Sequence, residues 1–255
     1  MNMKKIIYSL MVCCGLVTLA SCEKKVTTED PSTVTYYVSF EMNGDETMLV
    51  PLNSTFSDPG VVATENGVDV NDKVVVSITD AAGDEVSSIP TKAPGLYYVE
   101  YSAVNNDGFA ASVERTVIVY DPSLTASIAG TYVADMSKSL YGLAGKTFAD
   151  YAPNYSYTGT PVVHFSEIAP GFFQCDDLLG GWYAQLRGIG TKASMGGIVA
   201  LNADNTLTLL SSYIPYWGDA LDYIEDSSYD PETGILTYFA SYAGQIYITP
   251  YLIKQ

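Results

Sequence analysis

The chain has one histidine, four cysteines and two tryptophans in 255 residues, and only 12 basic residues against 29 acidic ones. Each shortage excludes something. With His164 alone, a histidine-based general base or a zinc site lacks its usual company. The sequence contains no G-x-S-x-G elbow, no H-E-x-x-H pair, no phosphate loop and no EF-hand loop. No enzymatic activity, cofactor or metal is therefore expected. A formal net charge of −17 repels nucleic-acid backbones. Neutral or cationic partners fit it better, and acidic clusters admit weak divalent-cation binding. Helical periodicity is also scarce: no 3.6-period segment of ten or more residues stands out, and DALDYI (219–224) offers at most a brief helical turn. Beyond the first twenty residues the apolar runs are short and broken by Gly, Pro or Asp, too short to cross a bilayer as helices.

What is present begins at the N-terminus. Lys4 and Lys5 precede about fifteen mostly apolar residues, the charged-then-apolar layout of an export signal. Leu19, Ala20, Ser21 and Cys22 follow, and these four resemble the lipobox of bacterial lipoproteins. The resemblance implies diacylglycerol transfer to the Cys22 thiol, cleavage before it (residues 1–21 leaving as signal peptide) and acylation of the new amine. Each buried methylene contributes roughly 0.8 kcal/mol, so several acyl chains hold where a single one attaches reversibly. A plain secretory signal, or an apolar strand with an incidental cysteine, is the alternative. The expected location is the outer membrane, lipid-anchored, with the cell surface preferred. Lys24 and Lys25 leave the facing open, because surface-exported relatives carry an acidic stretch just after the cysteine.

Removing residues 1–21 of the 255 leaves 234, and takes away two lysines and no acid, so the charge becomes −19. Cys13 and Cys14 leave with the signal. With Cys22 acylated, Cys175 is the remaining thiol and no internal disulfide is possible. In FFQCDD it reads as a small buried hydrophobe rather than a nucleophile. Glycine and proline are frequent, and Val, Ile, Thr, Tyr and Phe dominate the apolar runs, which predicts an all-β protein of strands and tight turns.

EKKVTTEDPST follows the cysteine as a polar spacer, making 22–33 a flexible tether. A first domain is expected over 34–121, with strands in VTYYVSFE, KVVVSIT, LYYVEYSAV and FAASVERTVIVY. Asn105-Asn106-Asp107-Gly108 joins the last two as a hairpin. The last strand is apolar on both faces near its end, as suits a strand inside a sandwich. FSDPGVV, APGLYYVEYSAV and the closing RTVIVYDP resemble bacterial immunoglobulin-like domains of exported surface proteins. The matching residues are Phe56, Asp58, Pro59 and Gly60; Pro94, Gly95 and Tyr97; Asp107 and Gly108; and Arg115, Thr116, Val117 and Val119. The resemblance implies an immunoglobulin-like sandwich. VNNDG lacks the second acid that many relatives place before the glycine, which argues against a cation site there.

DPSLTAS, 121–127, marks a boundary through Pro122 and its small polar neighbours. A second domain is expected over 128–255, built from eight or so short strands in sequential antiparallel order as a meander, either a small barrel or a curled sheet. NADN (202–205) and YDPETG (229–234) mark turns. This segment resembles the C-terminal domain of Bacteroidota lipoproteins in which an immunoglobulin-like module precedes it. The resemblance rests on Gly130–Tyr132, Asp177–Tyr183, Gly197–Thr206 and Tyr229–Tyr238. Such proteins are commonly encoded beside outer-membrane systems that capture and import glycans.

SSYIPYWGDALDY, 211–223, is the strongest candidate site. Pro215 and Gly218 break the strand pattern, which puts Tyr216 and Trp217 on a loop. An exposed indole can stack on a pyranose face while Asp219 or Asp222 accepts bonds from sugar hydroxyls, and Tyr213 adds to the surface. In the alternative reading Trp217 plugs one end of a barrel, with Tyr213 and Tyr216 beneath it. Tyr155, in the loop-like DYAPNYSYTG, offers a second wall. Trp182 and Tyr183 read as strand residues turned into the core by Gly180-Gly181. The carboxylate pairs Asp176-Asp177, Asp219 with Asp222, and Glu225-Asp226 invite a glycosidase reading, which needs two groups about 5 to 9 Å apart across a cleft. The composition, rich in acids, produces such pairs without chemistry. Two roles follow as expectations: an accessory protein binding extracellular polysaccharide or oligosaccharide for an outer-membrane uptake system, or a non-catalytic subunit docking on an outer-membrane transporter complex. In both, the lipid bilayer is a partner through Cys22.

Overall fold

A computed structural model describes residues 34–255. Cys22, the export segment and the expected tether lie outside the described residues. Residues 37–255 form one compact unit, in which an immunoglobulin-like sandwich is followed by a larger antiparallel sheet.

One sheet of the sandwich holds β1 (Val38–Met42), β3 (Val61–Glu65) and β4 (Val68–Asp69). The other holds β2 (Thr47–Pro51), β7 (Ala110–Tyr120), β6 (Gly95–Val104) and β5 (Val75–Asp80), in that order, with β2 parallel to β7. β6 and β7 form the expected hairpin. The Asn105 N–H donates to the Phe109 carbonyl at 2.9 Å, its side-chain oxygen accepts from the N–H groups of Asp107 and Phe109, and Gly108 takes φ +88°. That φ is open to glycine and strained for most residues.

The separated motif residues meet in space. Arg115 is fully buried and donates to the Asp58 carboxylate at 3.1 Å and to the carbonyls of Asn43 and Gly60 at 2.7 and 3.1 Å. The Tyr101 phenol donates to the same carboxylate, and the guanidinium lies over its ring. Nε of Arg115 has no hydrogen-bond partner, but both terminal nitrogens of this buried cation are bonded, so D-P-G and R-T-V are two halves of one polar knot.

The two-faced character of β7 has a different cause from the one expected. Val117 and Val119 enter the sandwich core with Tyr97, Val99 and Tyr101. Ile118 and Leu96 point the other way and pack against Ala169 and Phe172 of the second sheet. The apolar outer face exists because a neighbour covers it.

That second sheet has eleven strands: β8 (Gly130–Ala134), β9 (Leu140–Tyr141), β10 (Lys146–Thr147), β11 (Val162–Ala169), β12 (Phe172–Cys175), β13 (Gly196–Leu201), β14 (Leu207–Tyr213), β15 (Leu221–Asp230), β16 (Ile235–Tyr242), β17 (Ile246–Thr249) and β18 (Tyr251–Lys254). Its order corrects the sequential meander. β8, first in the chain, lies between β11 and the last strand β18, and β9 pairs with β17. The segment DALDYI is no helical turn, since β15 begins at Leu221.

The sheet curls without closing into a barrel. Where β14 and β15 approach, serine hydroxyls replace much of the backbone ladder. The Leu207 N–H donates to Ser227 Oγ at 2.7 Å and the Leu221 N–H to Ser212 Oγ at 2.9 Å. Inside the curl lies the largest core, including Tyr132, Phe148, Phe173, Trp182, Leu236, Tyr238 and Leu252.

Candidate functional site

The site is built from a floor and a rim. The floor comes from the connection between β12 and β13. Gly180 and Gly181 both take left-handed φ, +63° and +79°, and a Cβ on Gly181 would sit 2.5 Å from Pro161 Cβ. Only glycine fits there. The chain then enters a π-helical turn, Trp182–Leu186, where strand residues were expected. Buried Asp177 holds this connection at its ends: its Oδ1 accepts from the N–H groups of Leu179 and Met195 at 3.0 and 3.2 Å.

The turn buries Trp182 and Tyr183 at successive positions. Trp182 stacks on Tyr141 with ring centroids 4.2 Å apart and meets Phe148 at 5.0 Å, Tyr151 at 5.2 Å and Tyr155 at 6.4 Å. Tyr151 belongs to α1 (Phe148–Tyr151), whose N-terminus carries a capping box between Thr147 and Asp150. Tyr155 ends the 3₁₀ turn that follows. The loop-like reading of DYAPNYSYTG thus gives way to two helical turns packed on Trp182.

The rim is the turn between β14 and β15. Ile214 is buried and pairs with Asp219, the Gly218 N–H donates to the Ile214 carbonyl at 2.9 Å, and the Tyr216 N–H donates to the Lys192 carbonyl at 2.8 Å. These bonds project Tyr216 and Trp217 outwards, 55% and 44% exposed. Trp217 lies over the buried Tyr183 and Tyr242 with part of its ring exposed. Its ring meets Tyr216 at 4.8 Å and, on the inner side, Tyr183 at 4.9 Å and Tyr242 at 6.4 Å, all inclined rather than parallel. Edge contacts of this kind fix a ring while leaving part of its face to solvent.

Arg187 lies between two rings of the floor. Its guanidinium carbon lies 5.2 Å from the Tyr183 ring centroid and 5.4 Å from that of Tyr155, which is 39% exposed. Burial pushes the Tyr183 phenol up to about 12, with Arg187 opposing the rise. Burial also raises the Tyr242 phenol, helped by the nearby charges of Asp219 and Asp222. Trp217, Tyr216, Tyr155, Asp219 and Asp222 therefore gather around one aromatic cluster. Asp222 is partly committed, accepting from Ser241 Oγ at 2.9 Å and from the Gly244 N–H at 2.8 Å, while Asp219 accepts from the Ala220 N–H. Tyr213 is exposed beside Gly218 but lies outside the network of ring contacts. Sequence reasoning missed Tyr183 as a surface support, Tyr242 and Arg187. The run WYAQLR holds two of these, but only the π-helical turn sets Tyr183 and Arg187 side by side.

The remaining candidates have structural employment. Cys175 is fully buried and burial raises its thiol far above the ordinary value, which suits packing and disfavours the thiolate. His164 is exposed, with Nδ1 2.7 Å from Asp176 Oδ2. Its neighbour Asp177 is turned inward, so this carboxylate pair diverges. Burial raises Asp177 to about 7, and its Oδ2 has no hydrogen-bond partner. Among the described residues no group of three or more His, Cys, Asp or Glu is placed to hold a metal ion. A hollow of about 570 Å³ along β5 is lined by Val76, Ser77, Ile78, Glu85, Val86 and Ser87, with no second ionisable group beside Glu85.

Comparison with known proteins gives the second domain its kinship. A family model of the BT2262-like C-terminal domain matches residues 121–254, just over half of the chain. The chain belongs to that family. A model described as bacterial surface protein, Ig-like domain matches residues 40–119. The crystal structure of the lipoprotein BT2262 from Bacteroides thetaiotaomicron is 33% identical, with 86% of this chain and 100% of that one covered and a TM-score of 0.44. No curated protein matches the chain.

Proposed function

We propose that the protein is an outer-membrane lipoprotein, anchored through acylated Cys22, whose rim of Trp217 and Tyr216 contacts extracellular glycan for an uptake system. The anchoring is supported by the lipobox-like LASC and by kinship to a protein described as a lipoprotein. The contact is carried by one observation: two exposed aromatic rings, held by a turn of defined hydrogen bonds and backed by buried Tyr183, beside the carboxylates of Asp219 and Asp222. Rings fixed in advance lose little entropy on binding, and a pyranose face fits a flat apolar surface while its hydroxyls find acceptors at the edge.

The experiment is a titration of the full chain in detergent against a polysaccharide panel. Saturable binding to at least one glycan, lost in W217A with an unchanged melting temperature, supports the reading. Failure with every glycan removes it.

A second reading, docking on a neighbouring transporter, is favoured by the sandwich. β5 is a sheet edge on which Val75 and Val76 are 64% and 52% exposed, and Val104 and Phe109 are exposed nearby. Glu85 and Val86 pair with its second half, at Ile78–Asp80, and the uncovered first half around Val75 and Val76 is of the kind that invites strand addition. Recovery of a transporter by pull-down with the wild type, but not with V75K/V76K, supports that role.

A further inference from the structure

We propose that the aromatic cluster selects acidic saccharides, those bearing a carboxylate or sulfate, through Arg187; this rests on the glycan-contact reading above. The chain holds two arginines, and they are treated in opposite ways. Arg115 is buried and paired with Asp58. Arg187 is exposed, meets two tyrosine rings and forms no salt bridge among the described residues, although acids outnumber bases 29 to 12 in the sequence. On so acidic a surface an arginine without a carboxylate partner is kept apart from the available anions by its position. Tyrosine faces attract the planar cation and hold it in place, and the Tyr183 hydroxyl lies within hydrogen-bonding reach of it, which leaves the other N–H groups of the five-donor fork for a ligand.

The fork matches the oxygens of a carboxylate or sulfate in a bidentate way, which an ammonium cannot reproduce. Trp217 meets Tyr183 at 4.9 Å, and Tyr183 meets the guanidinium at 5.2 Å, so a sugar stacked on the indole has the cation one ring away. Lys192, whose carbonyl holds the Tyr216 N–H, is a second exposed cation without a salt bridge among the described residues. Asp219 and Asp222 accept from neutral hydroxyls and repel a second anion, so one acidic group placed towards Arg187 fits better than a uniformly charged polymer.

The test uses the full chain in detergent and two matched pairs: a galacturonate oligomer with its methyl ester, and a sulfated galactan with its desulfated form. The first pair reads carboxylate, the second sulfate. At least one acidic member is expected to bind tenfold or more tighter than its neutral partner, with the difference shrinking as salt rises. R187Q is expected to erase that difference, and R187K to restore it only in part. W217A should abolish both. A preference that survives R187Q, or equal binding of acidic and neutral members, overturns the inference and leaves glycan contact standing. Absence of binding to all four, and to every member of the wider panel, defeats the contact reading itself. An acidic peptide competing for Arg187 as strongly as the acidic sugars overturns the assignment to saccharides.

Discussion

Trp182 and Trp217 sit within one aromatic network, bridged by Tyr183 and Arg187, yet the protein uses them in opposite senses. Trp182 is 1% exposed, with ring partners from β9, from α1 and from the 3₁₀ turn beyond it. Trp217 is 44% exposed and touches the same network from outside. Their surroundings differ in what the backbone does. Paired left-handed glycines drive Trp182 inward, whereas Pro215 and Gly218 shape a turn that holds Trp217 at the surface. Burying the first ring anchors the second, because Tyr183 follows Trp182 in the same π-helical turn. Rigidity in the floor is thus a condition for a preorganised rim.

The contrast can be broken most violently at Trp182. Trp182→Ala should cost about 3–5 kcal/mol of stability by leaving a large cavity among Tyr141, Phe148 and Tyr151. Chemical denaturation measures it, and a loss below about 1 kcal/mol would mean that the floor is not what fixes the rim.

Next in size is the pH response of the floor. Asp177 titrates near 7 when folded, well above its ordinary value of 3.8, because burial penalises its charge. Between those two values the folded state holds a proton that the unfolded chain has released, so this group's contribution declines as pH rises from about 4 through 7. Wild-type stability should therefore fall by a few kcal/mol over that interval, and Asp177→Asn should flatten the profile. Melting curves at pH 5 and pH 8 decide this; equal slopes in both proteins would contradict the burial argument.

A smaller effect on stability, with a larger one on binding, is expected at the rim. Trp217→Ala should change stability by under about 1 kcal/mol, since only inclined ring contacts are lost. Acrylamide should quench the emission of Trp217 and spare that of Trp182, a difference read by comparing W217F with W182F. Comparable quenching of both would erase the distinction between floor and rim.

The sequence carried the local half of this picture. Asn105–Gly108 announced its hairpin because four residues tolerant of positive φ separate two β-rich runs. Tyr216 and Trp217 were legible as loop residues from Pro215 and Gly218 on either side, with a plug at the end of the sheet as the alternative. Asp58 and Arg115 were recognisable as motif residues, though not as partners, because 57 positions separate them. The rest was hidden for the same reason. The placement of β8 between β11 and β18 is decided by pairing across the whole domain, which no local alternation records. The π-helical turn at Trp182 defeats a period-2 or period-3.6 reading alike, and with it went the chance of seeing Arg187 beside Tyr183 and Tyr155. β9 and β10, two residues each, are too short to leave a pattern.

The most direct measurement is a fluorescence titration of W182F, in which Trp217 is the remaining tryptophan, against the glycan panel in detergent. The expected result is a saturable blue shift of the indole emission with at least one glycan, accompanied by protection from acrylamide. Binding detected calorimetrically with no change in that emission would place the contact elsewhere and contradict the role given to the rim.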